Sequence, residues 1–441
     1  MSLPTLLSVE KLQKALQAKA KAEPSYRFYS LWDKVYRRDI LWQAYRHCRA
    51  NGGAPGADRV TFEQIEAEGL GEWLAKLQQE LRSKTYCPSP LLRVWIPKSN
   101  GGQRPLSIPA IRDRVAQMAM LLVISPIFET DLCREQYGFR PGVDAKMAIR
   151  RAYFHVTERG LREVVDADLS DYFNTIPHGA LMRCLSRRIA DGQLLSVIKQ
   201  WLRVPVVERS KDGERRTTEA ADKNRGVPQG CPASPMLANL YFRRFILAWK
   251  QLGYERKLQA YVVNYADDLV ICCRPGKGSQ AMEAFRSLIT RLGLTVNERK
   301  TRMVKLPEES FDFLGYTIGR FYGQNGQPYI GTRPSKKAVR RLLLRIHEET
   351  SRRWSLQSPE EKIPEINTIL RGWCGYFNQG PVIQVYQIIR NYTERRVRRW
   401  LMRREQRQGT GYKRYPDAYL YQTLGLYQLP TSRAAVLNAK T

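Results

Sequence analysis

The chain has 441 residues, 73 of them Lys or Arg against 42 Asp or Glu, for a formal net charge of +31. That length holds two or three domains around a large core, and that charge suits a polyanionic partner whose grip weakens as salt rises. No stretch has the apolar length of a membrane-spanning helix, the 8 cysteines form no Cys-x-x-Cys pair, and 4 histidines leave no zinc-site spacing, so membrane-spanning, structural-zinc and disulfide-scaffold classes drop out.

In chain order, residues 1–50 read as helical, with Lys11, Lys14, Lys19 and Lys21 in an ordinary first helix and no apolar secretory core. Asn51 to Gly56 breaks the pattern, and helix returns over 60–83. Leu92 to Lys98 alternates as a strand, Ser99 to Gly102 makes a hairpin turn, and Arg104 to Pro109 returns. A long apolar helix covers 111–130 and another covers 144–159. Val164 to Phe173 is a strand ending in acids and aromatics. Residues 178–204 read as helical, Asp222 to Pro235 as a Gly- and Pro-rich loop, and 236–252 as helix. Two β-branched or aromatic runs, Tyr261 to Asn264 and Leu269 to Cys273, then flank Tyr265-Ala266-Asp267-Asp268. That predicts a hairpin with acids at its tip. Met282, Phe285, Leu288, Ile289 and Leu292 give helical spacing over 279–292, followed by strand-like Met303 to Leu306 and Phe311 to Ile318. After a Gly-rich turn at 323–328, the segment from Arg333 carries 22 Lys or Arg against 8 Asp or Glu and reads as an all-helical basic domain.

The acids carry the chemistry. An acidic turn between buried strands is costly unless a cation meets it. Hard oxygen ligands favour Mg²⁺, which takes one or two carboxylates plus substrate phosphates. Two-metal phosphoryl transfer needs carboxylates from separate strands, converging on ions about 3.5–4 Å apart. Asp267 and Asp268 on the hairpin, with an acid from the first strand, make such a set. Asp166 and Asp168 share one face of an alternating strand, so periodicity does not choose between them. Lys98 and Arg104 flank the earlier hairpin turn, placed to meet phosphates as a point charge and a bidentate fork. Gln229, in the loop Arg225 to Pro235, is placed to reach a nucleotide or template backbone. Phe173, five residues past Asp168, is placed to pack on a sugar and collide with a 2′-hydroxyl. Lys300 is a further phosphate candidate. Arg395, Arg396, Arg398, Arg399, Arg403, Arg404 and Arg407 wrap around a helix dense enough in like charge to call for an RNA partner. Each of these has a plain structural reading as a solvated charge, a turn or a core ring; their combination argues against it.

In order, strand-borne Asp168, Pro228-Gln229-Gly230, Tyr265-Ala266-Asp267-Asp268, Leu294 to Thr301 and Phe313-Leu314-Gly315-Tyr316 resemble the blocks of reverse transcriptases. Ile96-Pro97-Lys98 through Arg104-Pro105-Leu106, Gln136 to Gly142, and Ile366 to Phe377 resemble the additional and maturase blocks of bacterial group II intron-encoded reverse transcriptases. The resemblance spans about residues 30–430. It implies an α+β right-hand polymerase: fingers over 1–160 and 180–235, a palm with an antiparallel sheet over 161–179 and 236–325, and a helical thumb/maturase domain over 326–408. A short basic-aromatic tail at 409–441 follows, a possible DNA-binding remnant.

The resemblance also implies that Asp168, Asp267 and Asp268 are the catalytic aspartates and that the Leu169 carbonyl helps them hold two Mg²⁺ ions. It makes Lys98, Arg104 and Lys300 triphosphate contacts, Phe173 the sugar-selecting ring and Gln229 the nucleotide-pocket glutamine. The implied partners are group II intron RNA, a DNA primer or target and deoxynucleoside triphosphates, in a bacterial cytoplasm and at the nucleoid in use. The implied activity is RNA-dependent DNA synthesis with splicing assistance and intron mobility. A splicing maturase with secondary polymerase activity, and a domesticated enzyme of DNA repair or defence, are the alternatives. Many relatives carry a C-terminal His-Asn-His endonuclease with paired cysteines; no such cluster follows the maturase motif here. Priming from a pre-existing DNA end is therefore expected.

Overall fold

The computed structural model describes residues 3–97, 102–210, 213–323 and 325–432. Lys98 and most of the turn after it lie outside the described residues. Eleven strands are present in the described chain: β1 Leu91–Pro97, β2 Gln103–Ile108, β3 Glu163–Asp168, β4 Val206–Ser210, β5 Gly213–Thr217, β6 Tyr261–Tyr265, β7 Asp268–Cys273, β8 Arg302–Lys305, β9 Phe311–Phe313, β10 Tyr316–Tyr322 and β11 Pro328–Pro334.

The acids ride on the sheet ordered β6-β7-β3-β8, antiparallel throughout. Its central strand β7 is apolar from Leu269 to Cys273 because both faces are covered. Leu269, Ile271 and Cys273 point into a core shared with the helices Ser234–Gln251 and Gly278–Arg291, through Phe242, Phe245 and Phe285. Val270 and Cys272 point the other way, into a core shared with Ile149 and Val156 of the helix Ala145–Thr157 and with Phe311 and Tyr316. Two opposed cores fix the register, since a one-residue slip would exchange them.

A second sheet, β2-β1-β4-β5, carries the first predicted hairpin, with Ile96 opposite Arg104. The third, β11-β10-β9, revises two expectations. Phe311 to Ile318 is not one strand: Phe313 pairs with Tyr316, and Leu314 and Gly315 turn between them with φ of 50° and 81°. Positive φ at both central residues is the hairpin turn that matches strand twist. Strand β11 pairs with β10 from Pro328 to Pro334, so the basic C-terminal segment is not helical from its first residue. The expected helix over 178–204 is likewise two, His178–Ser186 and Gly192–Arg203, the second capped by the Asp191 carboxylate on the Leu194 N–H.

Beyond β11, the helices Lys336–Glu349, Pro359–Tyr376 and Ile383–Arg404 enclose their own core of Ile346, Ile366, Leu370, Ile389 and Trp400. Tyr415, Leu420, Leu426 and Leu429 are buried in that core, each contributing about 1.5–3 kcal/mol of apolar burial for a side chain of this size. The described part of the tail is thus packed into this helical body.

Candidate active site

The acidic turn is built by pairing Tyr265 with Asp268, which leaves Ala266 and Asp267 as a two-residue loop. Ala266 takes φ of 57°, a conformation that costs a residue with a Cβ about 1–2 kcal/mol. Buried Asn264 holds it there. Its Nδ2 donates to the carbonyls of Ala266 at 2.8 Å and Asp268 at 3.3 Å. The Asn264 backbone is pinned in turn: its N–H donates to the Glu135 carbonyl at 2.9 Å, and its carbonyl accepts from the Tyr137 N–H at 2.8 Å. Gly138 lies against the turn so closely that a Cβ would stand 2.5 Å from the Ala266 nitrogen. Asn239 donates to the Gly138 carbonyl at 2.6 Å, and Gln136 donates to the Asn239 carbonyl at 2.8 Å. Asn264, Gln136, Asn239 and Gly138 were not assigned this role from sequence. For Asn264 and Asn239 the available signal was a polar residue inside an apolar run, which burial makes costly unless hydrogen-bonded.

Asp168 closes β3 directly opposite Asp268 on β7. Its Oδ2 accepts from Asn297 Nδ2 at 2.8 Å and from Lys300 Nζ at 3.2 Å. Asp268 reaches solvent at the lip of the cleft, yet the protein around it and then the charges of Asp267, Asp168 and Asp166 push its carboxyl up to about 7. Like charges converging this way favour an added cation. Asp166 has a different neighbour. It pairs with Arg302 at 3.4 Å across to β8, and burial pushes it up to about 6.

A cavity of about 770 Å³ gathers Arg104, Asp168, Leu169, Phe173, Gln229, Asp267 and Lys300 from separate segments. Arg104 is exposed on β2, while Phe173 is half-buried with its ring edge-on to Tyr172 at 5.6 Å. Gln229 is fixed through its carbonyl, which accepts from the Ser107 N–H at 2.6 Å. Gly230, with φ of 108°, is needed because a Cβ there would stand 2.5 Å from the Ser107 carbonyl oxygen. Asp268 opens instead on a neighbouring cavity of about 890 Å³, walled by Lys337, Arg341, Arg345, Trp373 and Tyr376 of the helical body.

Among the described residues, no group of three or more His, Cys, Asp or Glu side chains forms a ready-made metal cage. The facing carboxylates of Asp168 and Asp268, with Asp267 beside them, nevertheless fit Mg²⁺, which keeps places for water and substrate phosphates. The Lys300 ammonium against Asp168 shows the same demand for positive charge.

The arginine-rich helix divides by burial. Arg395, Arg399 and Arg403 are exposed at four-residue spacing, with Arg404 and Arg407 exposed at its end. Arg396 and Arg398 are buried. Arg396 donates to the Thr350 hydroxyl at 2.9 Å and to the Thr350 carbonyl at 3.0 Å. Arg398 donates to the Tyr415 carbonyl at 2.8 Å, pairs with Asp417 and lies under the Tyr412 ring. The expectation that the arginines wrap the helix as one RNA-facing set is therefore corrected: 3.6-residue geometry turns two of them into the core.

Residues 96–318 match the family of reverse transcriptases (RNA-dependent DNA polymerases). The chain belongs to the reverse transcriptases. Residues 339–417 match the group II intron maturase-specific domain, so the helical body of this reverse transcriptase is its maturase domain. The chain is 33% identical over 369 residues to protein YkfC of Escherichia coli (strain K12), covering 75% of this chain and 93% of that protein. It is 28% identical over 259 residues to the group II intron-encoded protein LtrA of Lactococcus lactis subsp. cremoris, covering 58% of this chain and 40% of that protein. The nuclear intron maturase 2, mitochondrial, of Arabidopsis thaliana is 31% identical over 111 residues, 24% of this chain and 15% of its own length. The chain therefore spans most of the first relative and less than half of the other two. The mixed fold is that of a right-hand polymerase followed by a helical maturase domain, and the activity is RNA-directed DNA synthesis joined to a maturase function. No helix of the described residues is long and apolar enough to cross a membrane.

Proposed function

We propose that this reverse transcriptase extends a DNA 3′-end on an RNA template within the cavity that gathers Asp168, Asp267, Arg104, Phe173, Gln229 and Lys300. That convergence of acids, cations and one aromatic ring from separate segments is the observation that carries the reading. Asp168, Asp267, Asp268 and the Leu169 carbonyl would hold the two Mg²⁺ ions. Those ions supply Lewis acidity at the attacking 3′-hydroxyl and at the departing pyrophosphate. Arg104 and Lys98 meet the triphosphate as a bidentate fork and a point charge. Lys300, largely exposed at the end of its tether to Asp168, adds a third cation. The Phe173 ring packs against the deoxyribose and excludes a 2′-hydroxyl. Gln229, held by its backbone, presents its amide to the nucleotide.

The proposed division keeps fingers over 1–160 and 180–235, palm over 161–179 and 236–325 and thumb over 326–408, with residues 409–432 packed against the thumb. Arg395, Arg399, Arg403 and Arg404 offer an exposed basic edge for intron RNA. Deoxynucleoside triphosphates, an RNA template and a DNA primer are the substrates. The test is primer extension on an RNA template with an annealed DNA primer and Mg²⁺, against Asp267→Ala/Asp268→Ala. Synthesis by the wild type that disappears in the double variant is expected. Synthesis that survives in the variant sinks the assignment of the acids. Phe173→Ala should raise ribonucleotide use relative to deoxynucleotides; an unchanged ratio removes the ring from selection.

A further inference from the structure

Outside the catalytic cavity, two adjoining surface depressions share a wall of arginines. The first, of about 180 Å³, is lined by Asp131, Arg187, Arg188, Arg243 and Arg244 around Cys184. The second, of about 310 Å³, adds Arg183 and shares Arg187 and Arg244. Neither has a lining residue in common with the catalytic cavity or with its thumb-side neighbour. Arg183 and Arg187 come from the helix His178–Ser186 and its C-terminal cap, Arg243 and Arg244 from the helix Ser234–Gln251 packed beside it.

The arginines differ in occupation. Arg188 is buried: it pairs with Asp131 at 3.3 Å and donates to the carbonyls of Ala20 at 2.8 Å and Glu23 at 3.0 Å. It ties the first helix to this wall. Arg243 is half-buried and donates to the Asp131 carbonyl. Arg244 is half-buried with its guanidinium 5.3 Å from the centre of the Tyr241 ring. Arg183 and Arg187 are exposed, and neither forms an ion pair among the described residues. Asp131 is the carboxylate in the lining, and Arg188 already uses it.

An ordinary solvated face would let these cations diverge. Here they converge on one thiol: burial raises the Cys184 pKa, while Arg244, Arg187, Arg243 and Arg183 all pull it down. Cations spaced four apart on a helix repel each other, so the cluster is unfavourable without an anion. Guanidinium forks match phosphate oxygens bidentately, and two adjoining depressions suit neighbouring phosphates of one strand.

We propose that this arginine crater is a second RNA contact, gripping backbone phosphates of a folded RNA segment while the catalytic cleft holds the primer–template. It deepens the RNA-binding reading above and rests on it. The test is a titration of the full-length protein with a labelled, folded hairpin RNA, its catalytic cleft saturated with unlabelled RNA–DNA primer–template. Wild type is compared with Arg183→Gln/Arg187→Gln, and with Arg183→Lys/Arg187→Lys as a control that keeps the charge.

The glutamine pair should weaken hairpin binding about tenfold and lower the log–log salt slope by about two, one per lost phosphate contact. The lysine pair should keep most of the slope, and primer extension on a short primer–template should be unchanged in both. Unchanged affinity and slope in the glutamine pair overturn the proposal. So does duplex DNA that competes as well as RNA, which assigns the crater to nucleic acid in general. A fall in short-template extension that parallels the fall in binding also overturns it, by placing the arginines on the template path. Primer extension reads the polymerase and hairpin retention reads the crater, so the two readings fail separately.

Discussion

The acidic turn and the arginine-rich helix both present clustered like charge, yet the fold treats them in opposite ways. At the turn, Asp168, Asp267 and Asp268 are lifted to the mouths of two cavities, and the buried atoms beneath them are amides that hold the backbone. On the helix, Arg396 and Arg398 are drawn inside and hydrogen-bonded to Thr350, Tyr415 and Asp417, while Arg395, Arg399 and Arg403 stay in solvent. A two-residue hairpin loop can expose adjacent charges together. A helix that packs on one side must bury some members of any dense run. Clustered charge therefore stays available at this turn and is partly withdrawn along this helix.

The strongest way to break this comparison is Asp168→Asn. Primer extension should fall by more than about a thousandfold, as expected for a group placed to stabilise transition-state charge through an ion. The folded protein should keep its melting temperature, because the change removes one of the carboxylates that repel Asp268. A variant that unfolds instead would make Asp168 a structural residue like Arg398. The converse change is Arg398→Ala. Stability should drop by about 3 kcal/mol in denaturant titration, since a buried charge leaves its partners unpaired. Arg399→Ala, one residue on and exposed, should stay within about 0.5 kcal/mol. Equal effects at the two positions would erase the distinction.

Gly138→Ala sharpens the turn side. A Cβ 2.5 Å from the Ala266 nitrogen must displace the acidic turn. A shift of this kind should lower primer extension about a hundredfold, with a smaller change in stability. Wild-type extension would mean that the turn is not held to close tolerance.

An effect confined to acid pH concerns His155, buried on the far face of the acidic sheet and stacked on Tyr261 at 5.1 Å. Burial, and then Arg159 and Arg151, push its pKa down to about 4. The unfolded chain takes up the proton near pH 6.5 and the folded chain only near pH 4. Titration of His155 therefore costs folding nothing above about pH 6.5 and destabilises the fold increasingly as pH falls toward 4. His155→Phe should flatten the stability profile over that window; an unaltered slope would place the acid sensitivity elsewhere.

The fold was legible in the sequence wherever a run of one period was bounded by turn residues. Leu269 to Cys273 read as a strand because both faces are apolar, and 279–292 read as a helix from its spacing. Phe311 to Ile318 misled because Leu314 gives no sign of the positive φ it adopts. Strand β11 was hidden because its residues gain meaning only when β10 lies beside them. The tail read as a short basic-aromatic end, since nothing local reveals the core into which Leu420 and Leu426 fit.

The sequence by itself determined the chemistry: which residues carry charge, which strands lift the acids, and the order of blocks that marks a reverse transcriptase. Tertiary structure alone decided which charges remain available. Arg302 engages Asp166 and Lys300 engages Asp168, although both acids share one face of one strand. Arg396 and Arg398 vanish into the helical maturase body, while the pairs Arg183/Arg187 and Arg243/Arg244, far apart in the chain, meet in one crater. The reason is range: backbone period acts over a few residues and can be read along the chain, whereas burial and charge pairing depend on distances that exist only after distant segments have packed.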